Sequence, residues 1–179
     1  MSGRQVVSSA KAFASSIVDT YNPKAGLLSQ IYHRALTSFY LSQVKGSFMD
    51  FNKSDFPTTA VGIYAKLRES AKKNDKAILQ DVLTLPNYDL FKMCLKNRKP
   101  LPYQLYKEVA QAKIVHCRMT SEKGNQVEMQ TFAHVTVLFH CQSESGEPRT
   151  QLGIYERRMD NKQPHAWKIA FIEDQREGR

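Results

Sequence analysis

The residues best equipped for chemistry crowd into one stretch: His116 and Cys117 in AKIVHCRM (residues 112–119), then His134, His140 and Cys141 in FAHVTVLFHCQ (residues 132–142). Histidine and cysteine at this density would suit a zinc site, and a cysteine beside a histidine base would suit a nucleophile. Both readings require the side chains to converge. Each run is rich in β-formers, and successive side chains of a strand point to opposite faces. Alternation sets Val135, Val137, Phe139 and Cys141 on one face of the second strand and His134, Thr136, Leu138 and His140 on the other. His134 and His140 would then stand about 20 Å apart at roughly 3.3 Å per residue, too far to share one ion. Val115, Cys117 and Met119 are expected on the apolar face of Val135 and Val137, so the thiols read as core side chains and the histidines as polar residues of the outer face. No metal and no cofactor is expected.

The strands that carry these residues belong to a set of four. AKIVHCRM, TFAHVTVLFHCQ, TQLGIYERRM and HAWKIAFIED are separated by SEKGNQ, SESGEP and DNKQP, each a polar turn with Gly, Asn or Pro. Helical periodicity precedes them. LLSQIYHRALTSFYLSQVK (residues 27–45) repeats Leu28, Tyr32, Leu36, Tyr40 and Val44 every fourth residue, with Leu27, Ile31, Ala35 and Phe39 beside them. A linker, GSFMDFNKSDFP, leads to TAVGIYAKLRESAKK, with Asp55 or Thr58 as the capping residue and Val61, Tyr64, Ala65 and Leu67 on one side. Short helices through DKAILQDVLT and YDLFKMCLKNR follow, separated by Pro86 and Asn87, and Pro100 and Pro102 end the helical half. Helices first and an antiparallel meander afterwards make an α+β domain with helices packed on one face of a four-stranded sheet. The organisation expected is a cationic amphipathic helical arm over residues 1–47 and the α+β domain over residues 48–179.

The 179 residues carry 26 Lys and Arg against 17 Asp and Glu, a net +9 that favours polyanionic partners, either nucleic acid or anionic lipid. Three cysteines outside any CxxC pattern read as buried free thiols of a reducing compartment. No run of eighteen apolar residues is present to span a bilayer. The first segment has no acid before Asp19, carries Arg4, Lys11 and five serines, and spaces Val6, Ala10, Phe13 and Ile17 as a helix would. It reads as a mitochondrial targeting sequence or as an interfacial helix, with Arg4, Lys11, Phe13 and Ile17 as the membrane-binding residues; a helix packed on its own domain has comparable weight. Lys96, Arg98 and Lys99 in KNRKP and the Arg157–Arg158 pair are the candidate contacts for RNA phosphates. For Lys96, Arg98 and Lys99 the competing reading is a solvated helix end whose cations favour the dipole. Tyr103 and Tyr106 beside them could stack on bases, or simply be buried. No Walker loop, GxGxxG, GxSxG, HExxH or CxxC occurs.

The strand motifs resemble a known family. IVHCRM, HVTVLFHCQ and LGIYERR, with a tryptophan-containing last strand AWKIAFIED, resemble the Tim-forty-four-like domain over about residues 56–174, and within it the branch of the mitochondrial large ribosomal subunit, the L-forty-five and Mba-one type. The matching positions are Val115, His116 and Arg118; Val135 through Gln142; and Leu152, Ile154, Tyr155 and Arg157. The resemblance implies a curved sheet wrapped by helices, a cone similar to nuclear transport factor 2. It also implies a matrix-side structural component of the ribosome, not an enzyme, placed near the peptide exit and tethering the ribosome to the inner membrane for membrane-protein insertion. Partners would be ribosomal RNA, neighbouring ribosomal proteins, anionic inner-membrane lipid and the insertion machinery, with no small-molecule substrate. Two alternatives remain: a matrix-side adaptor of protein import or respiratory-complex assembly, and a small-ligand pocket or enzyme on the same fold using a pocket carboxylate as base. No acid is expected among the core-face positions of the four strands, and Glu173 and Asp174 are expected beyond the last strand, in solvent.

Overall fold

Residues 26–123, 129–159 and 165–175 are described by a computed structural model. Thr37, Leu41 and Val44 share one side of a helix over Leu27–Ser47 (α1) and are its buried residues. The second half of α1, assigned from sequence to an arm, therefore contributes to the core. Phe48 and Phe51 follow it inward. Helix α2 (Phe56–Lys73) has Asp55 at its N-cap position and Pro57 in its first turn. The Asp55 carboxylate does not cap; it accepts a 2.8 Å hydrogen bond from Asn52 Nδ2. Phe56, Ala60, Tyr64, Leu67 and Ala71 recur every three or four residues and form the buried stripe.

The corner after α2 is built from two residues. Asn74 takes the left-handed conformation (φ 53°), and Asp75 N–H reaches back to the Ser70 carbonyl, which closes α2 as a Schellman turn. Asp75 Oδ1 then accepts from the N–H groups of Ala77 and Ile78, capping α3 (Lys76–Val82). Helix α4 (Leu85–Lys96) starts one residue before Pro86 and two before Asn87, which the sequence reading placed between helices. Proline fits there because the first-turn N–H groups have no intrahelical partner. At the other end Arg98 (φ 52°) closes α4 with the same turn, Arg98 N–H donating to Leu95 O and Lys99 N–H to Cys94 O.

Strands β1 (Glu108–Lys123), β2 (Met129–Gln142), β3 (Pro148–Arg158) and β4 (Lys168–Gln175) form one antiparallel sheet in the order β1-β2-β3-β4, not closed into a barrel. The fold is α+β, with four helices among the described residues. The α3–α4 connection runs along the outer edge of β4, where Leu83 bridges Ile169 in parallel and Thr84 N–H donates to the Ile169 carbonyl at 3.1 Å.

Two irregularities in β1 change its expected face. Ala110 and Val115 drop out of the ladder with β2, so Val109, Ala112, Ile114 and Cys117 all turn toward the core. Val115 and Met119, expected there by strict alternation, are not part of that packing. The expected face of β2 holds: Val135, Val137, Phe139 and Cys141 are buried with the stripes of α1 and α2 in a single cluster. Gly153 lies opposite Val137 in β3. A methyl group there would fall 2.6 Å from the Phe139 ring, so glycine is required by the ring's approach.

The second sheet face is not the solvated face expected for the histidines. His116, His134, Thr136, Leu138, Leu152 and Ile154 are all buried on it. Tertiary packing overrides the polar appearance of the pattern: His134 hydrogen-bonds Glu156 Oε2 at 3.0 Å, and His116 lies under α1 with Thr37 Oγ1 3.4 Å from its Nδ1.

Candidate functional site

The cations proposed as phosphate ligands fall into two classes. Lys96, Arg98 and Lys99 are exposed at the end of α4, held there by the turn at Arg98. Arg157 is only 6% exposed. Both Nη1 contacts go to the Asp50 carboxylate, at 2.8 and 3.0 Å, and the guanidinium lies 4.0 Å from the Phe48 ring centroid and 5.9 Å from that of Trp167. Its place on the core face of β3, next to a shell of aromatic rings, makes it a clamp between the α1–α2 loop and the sheet. That corrects the expectation of an exposed Arg157–Arg158 pair. Arg158 is half-buried at the end of β3, opposite Phe132.

Sequence reasoning missed the neighbours of Lys96. Lys76 from α3 and Lys92 and Lys96 from α4 rim a small cleft of about 150 Å³ whose floor is Leu79, Tyr88 and Leu95. Lys92 Nζ stands 5.8 Å from the Tyr88 ring centroid. Among the described residues none of Lys76, Lys92, Lys96, Arg98 and Lys99 is in an ion pair. A signal was available: residues 66–99 hold nine Lys and Arg against four Asp and Glu, a net +5 in 34 residues.

The other surface is on α1. Leu27, Leu28, Ile31, Tyr32 and Phe39 are more than half exposed, Leu28 by 83%. At 100° per residue Leu28, Tyr32 and Phe39 lie on the side of the helix opposite Thr37, Leu41 and Val44, with Ile31 at its edge, while Leu27 shares the side of Leu41 and is exposed in the first turn. From Gly26 to Met49 there is no acid, and Arg34 and Lys45 both lie along one edge of the apolar strip. The residues assigned to membrane contact from sequence, Arg4, Lys11, Phe13 and Ile17, lie outside the described residues. No described helix is long and apolar enough to cross a membrane.

The thiols that opened the question are interior groups. Burial pushes Cys117 up to about 12, and burial aided by the Asp174 charge pushes Cys141 up to about 11. Both stay protonated at neutral pH, the opposite of what a nucleophile needs. Burial, with the nearby Arg118 and His33, lowers His116 to about 4, so its imidazole is neutral. Among the described residues no three of His, Cys, Asp and Glu come together.

Glu173 and Asp174, expected beyond the last strand, both belong to β4: Glu173 lies opposite Leu152 and is half-buried, and Asp174, which is exposed as expected, is level with Gln151 and Phe139. Asp174 Oδ1 accepts from Gln151 Nε2 (2.9 Å) and from Tyr106 Oη (3.1 Å). Gln151 Oε1 in turn accepts from Tyr64 Oη, which accepts from Tyr106 N–H. This chain of bonds ends at an open cleft of about 720 Å³ lined by Tyr106, Ser143, Glu147, Arg149 and Asp174. Arg149 is paired with Glu147, two residues before it, at the edge of this cleft. Tyr106 is buried with its hydroxyl on Asp174, and Tyr103 donates to Asn87 Oδ1 at 2.6 Å. Neither tyrosine offers a ring face to a stacked base. Compared with known proteins, the chain matches no family model and no curated protein.

Proposed function

We propose that the chain is a non-enzymatic structural constituent of the mitochondrial large ribosomal subunit, sited near the peptide exit and tethering the ribosome to the inner membrane. In this reading the sheet and helices form a cone similar to nuclear transport factor 2. The observation that carries the proposal is the two-faced α1. One side is anchored in the core through Leu41 and Val44, and the other presents Leu28, Ile31, Tyr32 and Phe39 to solvent in a stretch with cations and no acids. A helix held this way can lie in a lipid interface without the domain unfolding. Each Lys or Arg near an anionic surface adds about 1 kcal/mol, and each fully buried Leu or Ile about 1.5–3 kcal/mol. Lys96, Arg98 and Lys99 supply the salt-sensitive contacts to ribosomal RNA, and the strand motifs resembling the Tim-forty-four-like family support the matrix location.

Two measurements test the reading. The chain should co-sediment with the large subunit on a sucrose gradient of mitochondrial lysate, and dissociate as salt rises. Ile31→Asp with Phe39→Asp should lower binding to cardiolipin-containing vesicles at least tenfold while circular dichroism stays unchanged. Sedimentation away from ribosomes at both salts, with vesicle binding retained, would replace the ribosomal role with that of an import or respiratory-assembly adaptor. Vesicle binding unchanged in the double variant would remove α1 from the membrane.

A further inference from the structure

The cleft between α3 and α4 combines two properties that a solvated helix face does not need. Its floor, Leu79, Tyr88 and Leu95, is almost wholly apolar, and its rim is three lysines from two helices. Leu79 is 1% exposed and belongs to the core, so the floor is fixed rather than adaptable. The two helices are held at a set spacing because their short connection is pinned to β4: Leu83 bridges Ile169, and Thr84 N–H and Asn87 Nδ2 both donate to the Ile169 carbonyl, at 3.1 and 3.3 Å. Lys92 and Lys96 stand four residues apart on α4, on one face, with Lys76 across the cleft. No carboxylate lines it, and none of the three lysines has an anionic partner among the described residues.

We infer that this cleft is a docking site for a short acidic segment of a partner protein, which inserts one apolar side chain between Leu79, Tyr88 and Leu95 and sets its carboxylates on Lys76, Lys92 and Lys96. The volume favours this occupant: about 150 Å³ is the size of cavity that takes a single benzene-sized group. The charge is complementary only to an anionic chain, and the i, i+4 lysines suit carboxylates on both sides of the inserted residue. A phosphate backbone uses the lysines but leaves the apolar floor uncovered. The site is separate from α1 but shares Lys96 with the proposed RNA contact, so the peptide and the oligoribonucleotide are tested side by side.

The test uses the full chain and a fluorescein-labelled ten-residue peptide with four carboxylates around a central leucine. Alongside it run the same peptide with serine for leucine and a single-stranded oligoribonucleotide of equal charge. Fluorescence anisotropy should show at least tenfold tighter binding of the leucine peptide than of the serine peptide. Lys92→Glu with Lys96→Glu, both on exposed positions that leave the core untouched, should abolish it. A charge-inverted peptide, lysines around leucine, should recover binding to that double variant. Equal binding of the leucine and serine peptides overturns the proposal. So does preference for the oligoribonucleotide over the leucine peptide, which would make the patch a polyanion surface.

Discussion

Replacing Arg157 by lysine separates a structural clamp from a phosphate ligand, because lysine keeps the charge and loses the planar fork. The guanidinium sits 4.0 Å from the Phe48 centroid with the side chain 7% exposed, so its stacking lies toward the desolvated end of the range, about 2 kcal/mol. The pair with Asp50 adds little. The Asp50 side chain is 68% exposed, and water screening holds such a pair to about 0.5 kcal/mol. Arg157→Lys is therefore expected to cost about 1.5 kcal/mol, Arg157→Ala about 3 kcal/mol once the packed stem is also lost, and Asp50→Asn about 0.5 kcal/mol. Urea unfolding followed by the fluorescence of the single tryptophan, Trp167, reads all three, since that ring lies beside the clamp. The hydrogen bond from Arg157, then its charge, holds the Asp50 carboxyl below its usual range. Its small contribution is present above the unfolded value of about 3.9 and is lost as pH falls through the lower folded value. Asp50→Asn should lack that loss. The clamp reasoning fails if Arg157→Lys lies within about 0.5 kcal/mol of wild type while Arg157→Ala releases a well-folded chain from ribosomes.

Two further perturbations probe the sheet. His116, lowered to about 4, takes up a proton in the unfolded chain near pH 6.5 but not in the folded one. Stability is full above about pH 6.5, declines as pH falls, and has lost this contribution by about pH 4; between pH 7 and 5 the drop should be about 2 kcal/mol, and His116→Gln should flatten the profile in urea melts. Gly153→Ala forces a methyl group to 2.6 Å from Phe139 and should cost about 3 kcal/mol, read as a fall in Tm, with partial recovery in Gly153→Ala, Phe139→Leu.

Where local pattern decides structure, the residues were readable in advance. The inward face of β2 follows from period-two alternation, whereas the side-chain cap expected from Asp55 is not made because its carboxylate is taken by Asn52. The face of β1 was not readable, because Ala110 and Val115 leave the ladder without any mark in an apolar run. Arg157 looked like surface charge because Asp50 is 107 residues away in sequence. The two sides of α1 are both apolar, so periodicity showed a broad stripe without saying which side would be packed. The lysine-rimmed cleft arises from two helices whose individual charge patterns look ordinary; only the turn at Leu83 and Thr84, pinned to Ile169, brings Lys76 to Lys92 and Lys96.

The covering of β4 has a consequence for how this protein can assemble. An open antiparallel sheet ends in rows of unpaired N–H and C=O groups that will accept a foreign strand. At β4 the Ile169 carbonyl is already taken by Thr84 N–H and Asn87 Nδ2, and Leu83 pairs alongside. At β1 the interruptions at Ala110 and Val115 twist the edge away from a flat template. Strand addition is thereby discouraged at the start of β4 and at the interruptions of β1, which favours association through side-chain surfaces such as α1 and the lysine-rimmed cleft. The same covering guards a chain with four long β-rich runs against cross-β aggregation at high local concentration.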